Sequence, residues 1–162
     1  MVAATRKMDT AQLFALLESV VDPEIPVLTL RDLGVLRDIT LDNGEVDVTI
    51  TPTYAGCPAM ETMRSDIETT LKAAGFEKVN VRTSLSPAWS TDWMSENTRE
   101  KLRAYGIAPP STTSCGQQVG VIECPQCRSN DVERVSEFGS TACKALYKCQ
   151  NCLEPFDYFK CI

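Results

Sequence analysis

Thr51-Pro-Thr-Tyr-Ala-Gly-Cys-Pro-Ala-Met60 joins two stretches of different periodicity, and the reading of the chain turns on it. Before it, Gly44 to Ile50 places Val46, Val48 and Ile50 on one side in strict alternation, the pattern of a half-buried strand. After it, Met60, Met63, Ile67, Leu71 and Ala74 recur at helical spacing, and Gly75 stands where a helix stops. Cys57 therefore falls at a strand-to-helix turn, with Pro58 suited to the first helical position. Free backbone N–H groups and the positive end of a helix dipole would then face its sulfur and favour the thiolate. The residues alone leave a second reading open, in which Cys57 is a small buried hydrophobe.

Working outward, Asp9 or Thr10 can cap a first helix running to Val20, with Leu13, Phe14, Leu16, Leu17 and Val20 on its apolar side. Asp22-Pro-Glu-Ile-Pro26 ends it, because two closely spaced prolines cannot continue a helix. Leu30 to Gly34 can form a short helical turn, and Val35 to Leu41 reads as a strand. Asp42-Asn43-Gly44 is a hairpin signal leading into the strand already described. A third strand covers Phe76 to Leu85, with Val79, Val81 and Leu85 in alternation. Helix, hairpin, helix and strand make an α+β fold, a small two-layer α/β sandwich with its helices on one sheet face. Ser86 to Met94 is irregular, and Trp89 and Trp93 within it can cover a sheet edge or form a partner surface, the covering role being preferred. Ser95 can cap a further helix, with Leu102 and Tyr105 at helical spacing and Gly106 as its stop. These elements place a first domain at 1–107, a linker at 108–120 and a second domain at 121–162. Cys115, in the linker, has no partner in sequence and receives no role.

Composition excludes several classes of function. The net charge of −6 argues against nucleic-acid binding, and from Val121 onward the basic residues do not outnumber the acidic ones. No apolar run is long enough to span a membrane and no apolar segment follows Arg6 and Lys7, so a cytoplasmic protein with no membrane association is expected. The chain has no histidine, which rules out a serine–histidine or cysteine–histidine pair and a Glu-x-x-His di-iron site. Neither nucleotide-binding glycine motif occurs. Catalysis by this chain alone is not expected.

Eight cysteines are many for 162 residues, and five of them fall from Cys124 to Cys152. Cys124-Pro-Gln-Cys127 and Cys149-Gln-Asn-Cys152 are two C-x-x-C knuckles separated by twenty-one residues, just beyond the common ribbon spacing of about fifteen to twenty. Two knuckles complete a closed tetrahedral thiolate site, and short strands over 132–138, 145–148 and 156–159 complete a zinc ribbon. One structural zinc per chain is the expected cofactor. Four thiolates also suit iron–sulfur chemistry, and Cys143 and Cys161 supply two further sulfurs nearby as candidate accessory groups.

Asp22-Pro-Glu-Ile-Pro26, Asp32-Leu-Gly34 and Thr49-Ile-Thr-Pro-Thr-Tyr-Ala-Gly-Cys-Pro58 resemble the signature of the iron–sulfur assembly domain of the SufT-like family, and Pro87-Ala-Trp89 to Met94 also fits it. The joining of that domain to a ribbon carrying Phe138-Gly-Ser-Thr-Ala-Cys-Lys-Ala-Leu-Tyr147 and Glu154-Pro-Phe-Asp-Tyr-Phe-Lys-Cys161 resembles the PaaD family of the phenylacetyl-CoA epoxidase system. The resemblance implies an accessory role in aerobic phenylacetate degradation, with a di-iron oxygenase or an iron–sulfur flavin reductase as partner. It implies that Cys57 is a transient ligand of iron or of an iron–sulfur cluster, with Asp22 and Glu24 as accessory groups. Asp22 and Glu24 also read as turn formers beside Pro23 and Pro26. Ile162 stands where the family's tails often carry a histidine, so no ligand role passes to that position.

Three functional readings follow. An assembly factor would use Cys57 to hold metal while the ribbon docks a client. A structural subunit would bind the epoxidase through the ribbon and the tryptophan region without metal transfer. A thiol redox protein would use Cys143 with Cys161, or one knuckle, as its dithiol, and it ranks last because a knuckle engaged in a metal site is not free for exchange.

Overall fold

The computed structural model describes residues 8–110 and 120–162, which leaves Cys115 outside the described residues. The chain divides into two compact units, Met1–Ala88 and Trp89–Ile162. The tryptophan-rich stretch and the helix after it thus belong with the C-terminal unit, where the sequence reading set them in the first domain. Among the described residues no helix is long and apolar enough to cross a membrane.

The N-terminal unit begins with helix α1, Thr10–Leu17, whose Asp9 cap and Gln12 form a reciprocal capping box. The helix stops three residues short of Val20. Val20 instead lends its carbonyl to Leu30 N–H at 3.1 Å, and Val21 bridges Thr29. Asp22 fixes the loop that follows, its Oδ1 accepting from the N–H groups of Glu24 at 2.8 Å and Ile25 at 2.7 Å. Leu30 to Gly34 is a hydrogen-bonded turn, not a helix.

Strands β1 (Leu36–Asp42) and β2 (Glu45–Ile50) pair antiparallel around Asn43 and Gly44. Both turn residues have positive φ, 49° and 84°, as the favoured two-residue hairpin turn demands. Helix α2 (Met60–Ala73) crosses over to β3 (Lys78–Thr83), which runs parallel to β2 and gives the order β1-β2-β3. The chain leaves α2 through a Schellman turn. Gly75 takes φ of 99°, its N–H reaches the Lys72 carbonyl, and Phe76 N–H reaches that of Leu71. Phe76 therefore closes the helix instead of opening the strand.

Leu13 and Leu17 of α1 and Met63, Ile67 and Leu71 of α2 are buried, as are Ile39, Val46, Val48, Ile50 and Val81 of the sheet. Register sets Thr40, Asp47 and Asn80 abreast on the other, polar face. There the Arg82 guanidinium and then the Asn80 amide hold the Asp47 carboxyl below the usual carboxylate range. The layers are those expected of an α+β sandwich. Strand β3 is an open edge, and Arg64 of α2 donates to its Val81 carbonyl at 2.5 Å, occupying an acceptor that a parallel ladder leaves on the outer side.

The C-terminal unit opens with a short 3-10 turn at Thr91–Trp93 and helix α3, Glu96–Ala104, capped by Ser95. Leu102 is buried, whereas Tyr105 ends the helix and is exposed. Four strands follow: β4 (Ile107–Ala108), β5 (Val132–Ser136), β6 (Lys144–Cys149) and β7 (Pro155–Phe159), in the order β4-β7-β6-β5. Strand β4, parallel to β7, uses Ile107, the last residue of the expected first domain, and Ala108, the first of the expected linker. One face of this sheet packs Ala108, Ala145, Phe156 and Tyr158 with Cys124 and Cys149. Trp89 is buried and its ring lies 6.0 Å from that of Phe159 on the inner strand β7, so it packs on the ribbon sheet and not at a sheet edge of the first unit.

Lys144 is 3% exposed, and its ammonium lies 3.8 Å from Asp157 Oδ2, which also accepts from Ser140 Oγ at 2.7 Å. A Cβ at the neighbouring Gly139 would collide with Asp157 Oδ1 and force that carboxylate to move from its present place. Removing one member of a buried pair strands the other charge, so Asp157→Ala should destabilise the metal-loaded chain by about 2–3 kcal/mol in chemical denaturation. Lys144→Met, which removes the buried charge and keeps the stem, should cost clearly less.

Candidate metal centre

Each knuckle of the C-terminal unit is a tight turn closed by backbone hydrogen bonds. In the first, Cys124 N–H donates to Ser129 O and Arg128 N–H to Cys124 O, both at 2.9 Å. In the second, Cys149 N–H donates to Glu154 O at 3.0 Å and Cys152 N–H reaches Cys149 Sγ at 3.4 Å. The residue after each second cysteine, Arg128 and Leu153, is left-handed with φ of 64° and 66°. Two non-glycine residues held in that region at equivalent places indicate that both turns are over-determined by their surroundings.

The four sulfurs all lie within 4.8 Å of one another. Cys124 Sγ is 3.6 Å from Cys152 Sγ, and Cys127 Sγ is 3.5 Å from Cys149 Sγ. A tetrahedral ion with metal–sulfur bonds of about 2.3 Å would set its thiolates about 3.8 Å apart, so the set fits one ion. A multi-iron cluster interposes several atoms between its ligands and does not fit the same spacing. Cys124 and Cys149 are fully buried, while Cys127 and Cys152 are half-buried.

The charge pattern points the same way. The Ser129 N–H, then the Asn151 amide, lower the Cys127 thiol to about 6. The Glu154 N–H favours the Cys152 thiolate, but burial and the neighbouring sulfurs of Cys127, Cys149 and Cys124 push that thiol up to about 12. One sulfur ionises readily and another resists, because four adjacent thiolates need a cation among them. Ion binding must then displace at least the Cys152 proton at neutral pH. Protons compete with the ion for the thiolates, so metal release to a chelator should be slow at pH 7 to 8 and accelerate as pH falls toward 5. Stopped-flow release across pH 5 to 8 checks this; a flat profile would contradict it.

Cys143 and Cys161 are not brought into this cluster. Cys143 keeps its thiol, buried 3.0 Å from Thr141 Oγ1. Cys161 is disulfide-bonded, and its sulfur lies 3.6 Å from Thr91 Oγ1. A Cys143–Cys161 dithiol is therefore corrected: the two do not pair with each other.

The N-terminal unit has a second locus. The loop 51–59 leaves β2 at the carboxyl end of the parallel pair, the end at which open α/β sheets bind ligands. Thr51 N–H to Val35 O at 2.8 Å anchors the loop, and Cys57 N–H donates to Tyr54 O at 3.3 Å. Gly56 between them has φ of 83° with open space around it, so its role is conformational. Helix α2 begins at Met60 behind Ala59, and Pro58 lies in the turn before it, not at the first helical position.

The expectation of an activated thiolate at Cys57 is overturned. Burial is the first cause raising this thiol, and the Glu24 and Asp22 carboxylates raise it further. The Ala59 N–H and the Tyr54 side chain oppose the rise without cancelling it. The fold nonetheless brings the charges of Asp22 and Glu24 to bear on Cys57 from a separate loop. Sequence reasoning passed over Tyr54, which stood within the quoted stretch, and Asn151, which no spacing rule marks.

Residues 10–83 match the family model described as iron–sulfur cluster assembly protein, and residues 108–160 match that of the PaaD zinc beta ribbon domain. The chain is 50% identical, over 93% of its length and 92% of the other's, to an Escherichia coli K12 protein provisionally named as a component of 1,2-phenylacetyl-CoA epoxidase. It is 34% identical to the Fe-S protein maturation auxiliary factor of Porphyromonas gingivalis W83, over 54% of this chain and 84% of that protein. Among solved structures, a DUF59 domain from Bacillus anthracis is similar with a TM-score of 0.53 and 31% identity, covering 57% of this chain and 90% of that one. A conserved hypothetical protein from Thermotoga maritima gives a TM-score of 0.51 and 32% identity, covering 59% and 95%.

Proposed function

The chain belongs to the PaaD family of phenylacetyl-CoA epoxidase components, and from that premise we propose that it assists assembly of an iron or iron–sulfur centre in another component of the epoxidase. Its client is the di-iron oxygenase or the iron–sulfur flavin reductase, and it works in the cytoplasm without catalysing a reaction of its own. Cys57 is the transient ligand. The observation that carries this reading is the place of Cys57, half-buried in the loop at the carboxyl end of the parallel strand pair, where the charges of Glu24 and Asp22 also act on its thiol. Carboxylate charges that oppose a thiolate favour a cation beside it, and an arriving ion takes the place of the thiol proton. The thiol is thus quiet until metal is delivered, which suits a ligand that must bind and let go.

In the C-terminal unit, Cys124, Cys127, Cys149 and Cys152 hold one structural zinc. The closed set of four thiolates leaves no open position for substrate. When bound, the ion supplies fold stability, because a unit of this size buries little apolar surface. A second reading, a structural subunit that binds the epoxidase without transferring metal, draws on the half-buried and protonated state of Cys57.

The two readings separate in cells making the full epoxidase. With Cys57→Ser, the components should still associate with this chain, while the iron content and activity of the client fall. Full metallation and activity in that variant would sink the assembly role and leave the structural one. Zinc in the purified variant should stay near one per chain.

A further inference from the structure

Asn151 lies in the second knuckle but serves the first. Its Nδ2 donates to Cys127 Sγ at 3.6 Å, the one side-chain amide contact to a cluster sulfur among the described residues. The residue beside it also reaches across: Gln150 N–H donates to Asp131 O at 2.8 Å, and Gln150 Nε2 to Glu133 Oε2 at 2.9 Å. Both residues between Cys149 and Cys152 therefore tie their turn to the first knuckle or to the segment that follows it. Asn151 is exposed and contributes little to packing, so its amide is placed by this cross-knuckle bond.

A tetrathiolate site around a divalent ion carries a net charge of −2. Hydrogen bonds to its sulfurs disperse that charge and fix ligand orientation, and loss of such outer partners typically weakens metal binding about 10–100-fold. We infer that Asn151 is a positioning residue for the four-cysteine site, holding Cys127 in place and slowing loss of the ion. The inference rests on the reading of these cysteines as a metal site and adds a residue that the cysteine pattern does not contain.

The test uses the full chain loaded with Co2+ and then with Zn2+, as wild type, Asn151→Ala and Asn151→Asp. Wild type should give the absorption bands of a tetrahedral four-thiolate cobalt site. In Asn151→Ala the same site should form, with its sulfur-to-metal band moved to lower energy, because a sulfur that loses its hydrogen bond gives up electrons more readily. Zinc release to a chromogenic chelator should be about tenfold faster. Asn151→Asp, of nearly the same shape but bearing a negative charge, should release zinc faster still. The inference is overturned if Asn151→Ala matches wild type in both band energy and release rate. That holds even if Asn151→Asp is impaired, since repulsion from a new charge says nothing of the native amide. Should the alanine variant lose its far-UV circular dichroism, Asn151→Ser, which keeps a short donor, decides by the same two readouts. If wild type itself shows no four-thiolate cobalt bands, the metal-site reading falls first and this inference with it.

Discussion

Four sulfurs drawn to within 4.8 Å of one another are the constraint on which the C-terminal unit depends. Cys124 and Cys149 are themselves members of its apolar core, packed with Ala145, Phe156 and Tyr158, so the metal site and the core are one assembly. The two knuckles share a hydrogen-bonding scheme and a left-handed residue after the second cysteine. Their convergence places like charges side by side, which a cation resolves and bare thiolates cannot.

The N-terminal unit solves a different problem. Its sheet is small, its helices cover one face, and its loop 51–59 lies at the end of a parallel strand pair. Cys57 in that loop is exposed enough to be reached and buried enough to keep its proton. The opposed pulls on this thiol, backbone N–H against burial and carboxylates, distinguish it from the cluster cysteines, where an N–H group and a neighbouring amide lower Cys127. One chain thus holds two kinds of cysteine chemistry, closed in the ribbon and open at the loop.

Local signals carried far along this chain. Asn43-Gly44 specified its hairpin because few residue pairs accept two successive positive φ values, and Asp9 and Ser95 specified helix starts through their side-chain caps. Gly75 marked the end of α2 for the same reason as the hairpin glycine. Where no such signal stands, periodicity overruns the element: Val20 after α1 and Phe76 before β3 face the core from turns and so continue the apolar pattern beyond the helix and the strand.

The sequence by itself determined the two knuckles, the strand–loop–helix around Cys57 and the α+β order, since each depends on residues close in the chain whose conformational demands are local. Tertiary structure alone decided what meets at a distance. It buried Cys57 and brought the charges of Glu24 and Asp22 to bear on it, and these together raise that thiol against the opposing Ala59 N–H. It joined Ile107 and Ala108 to β7 and set Trp89 on Phe159, assigning both to the ribbon unit. It aimed Asn151 at Cys127, a contact between residues twenty-four apart that no periodicity encodes.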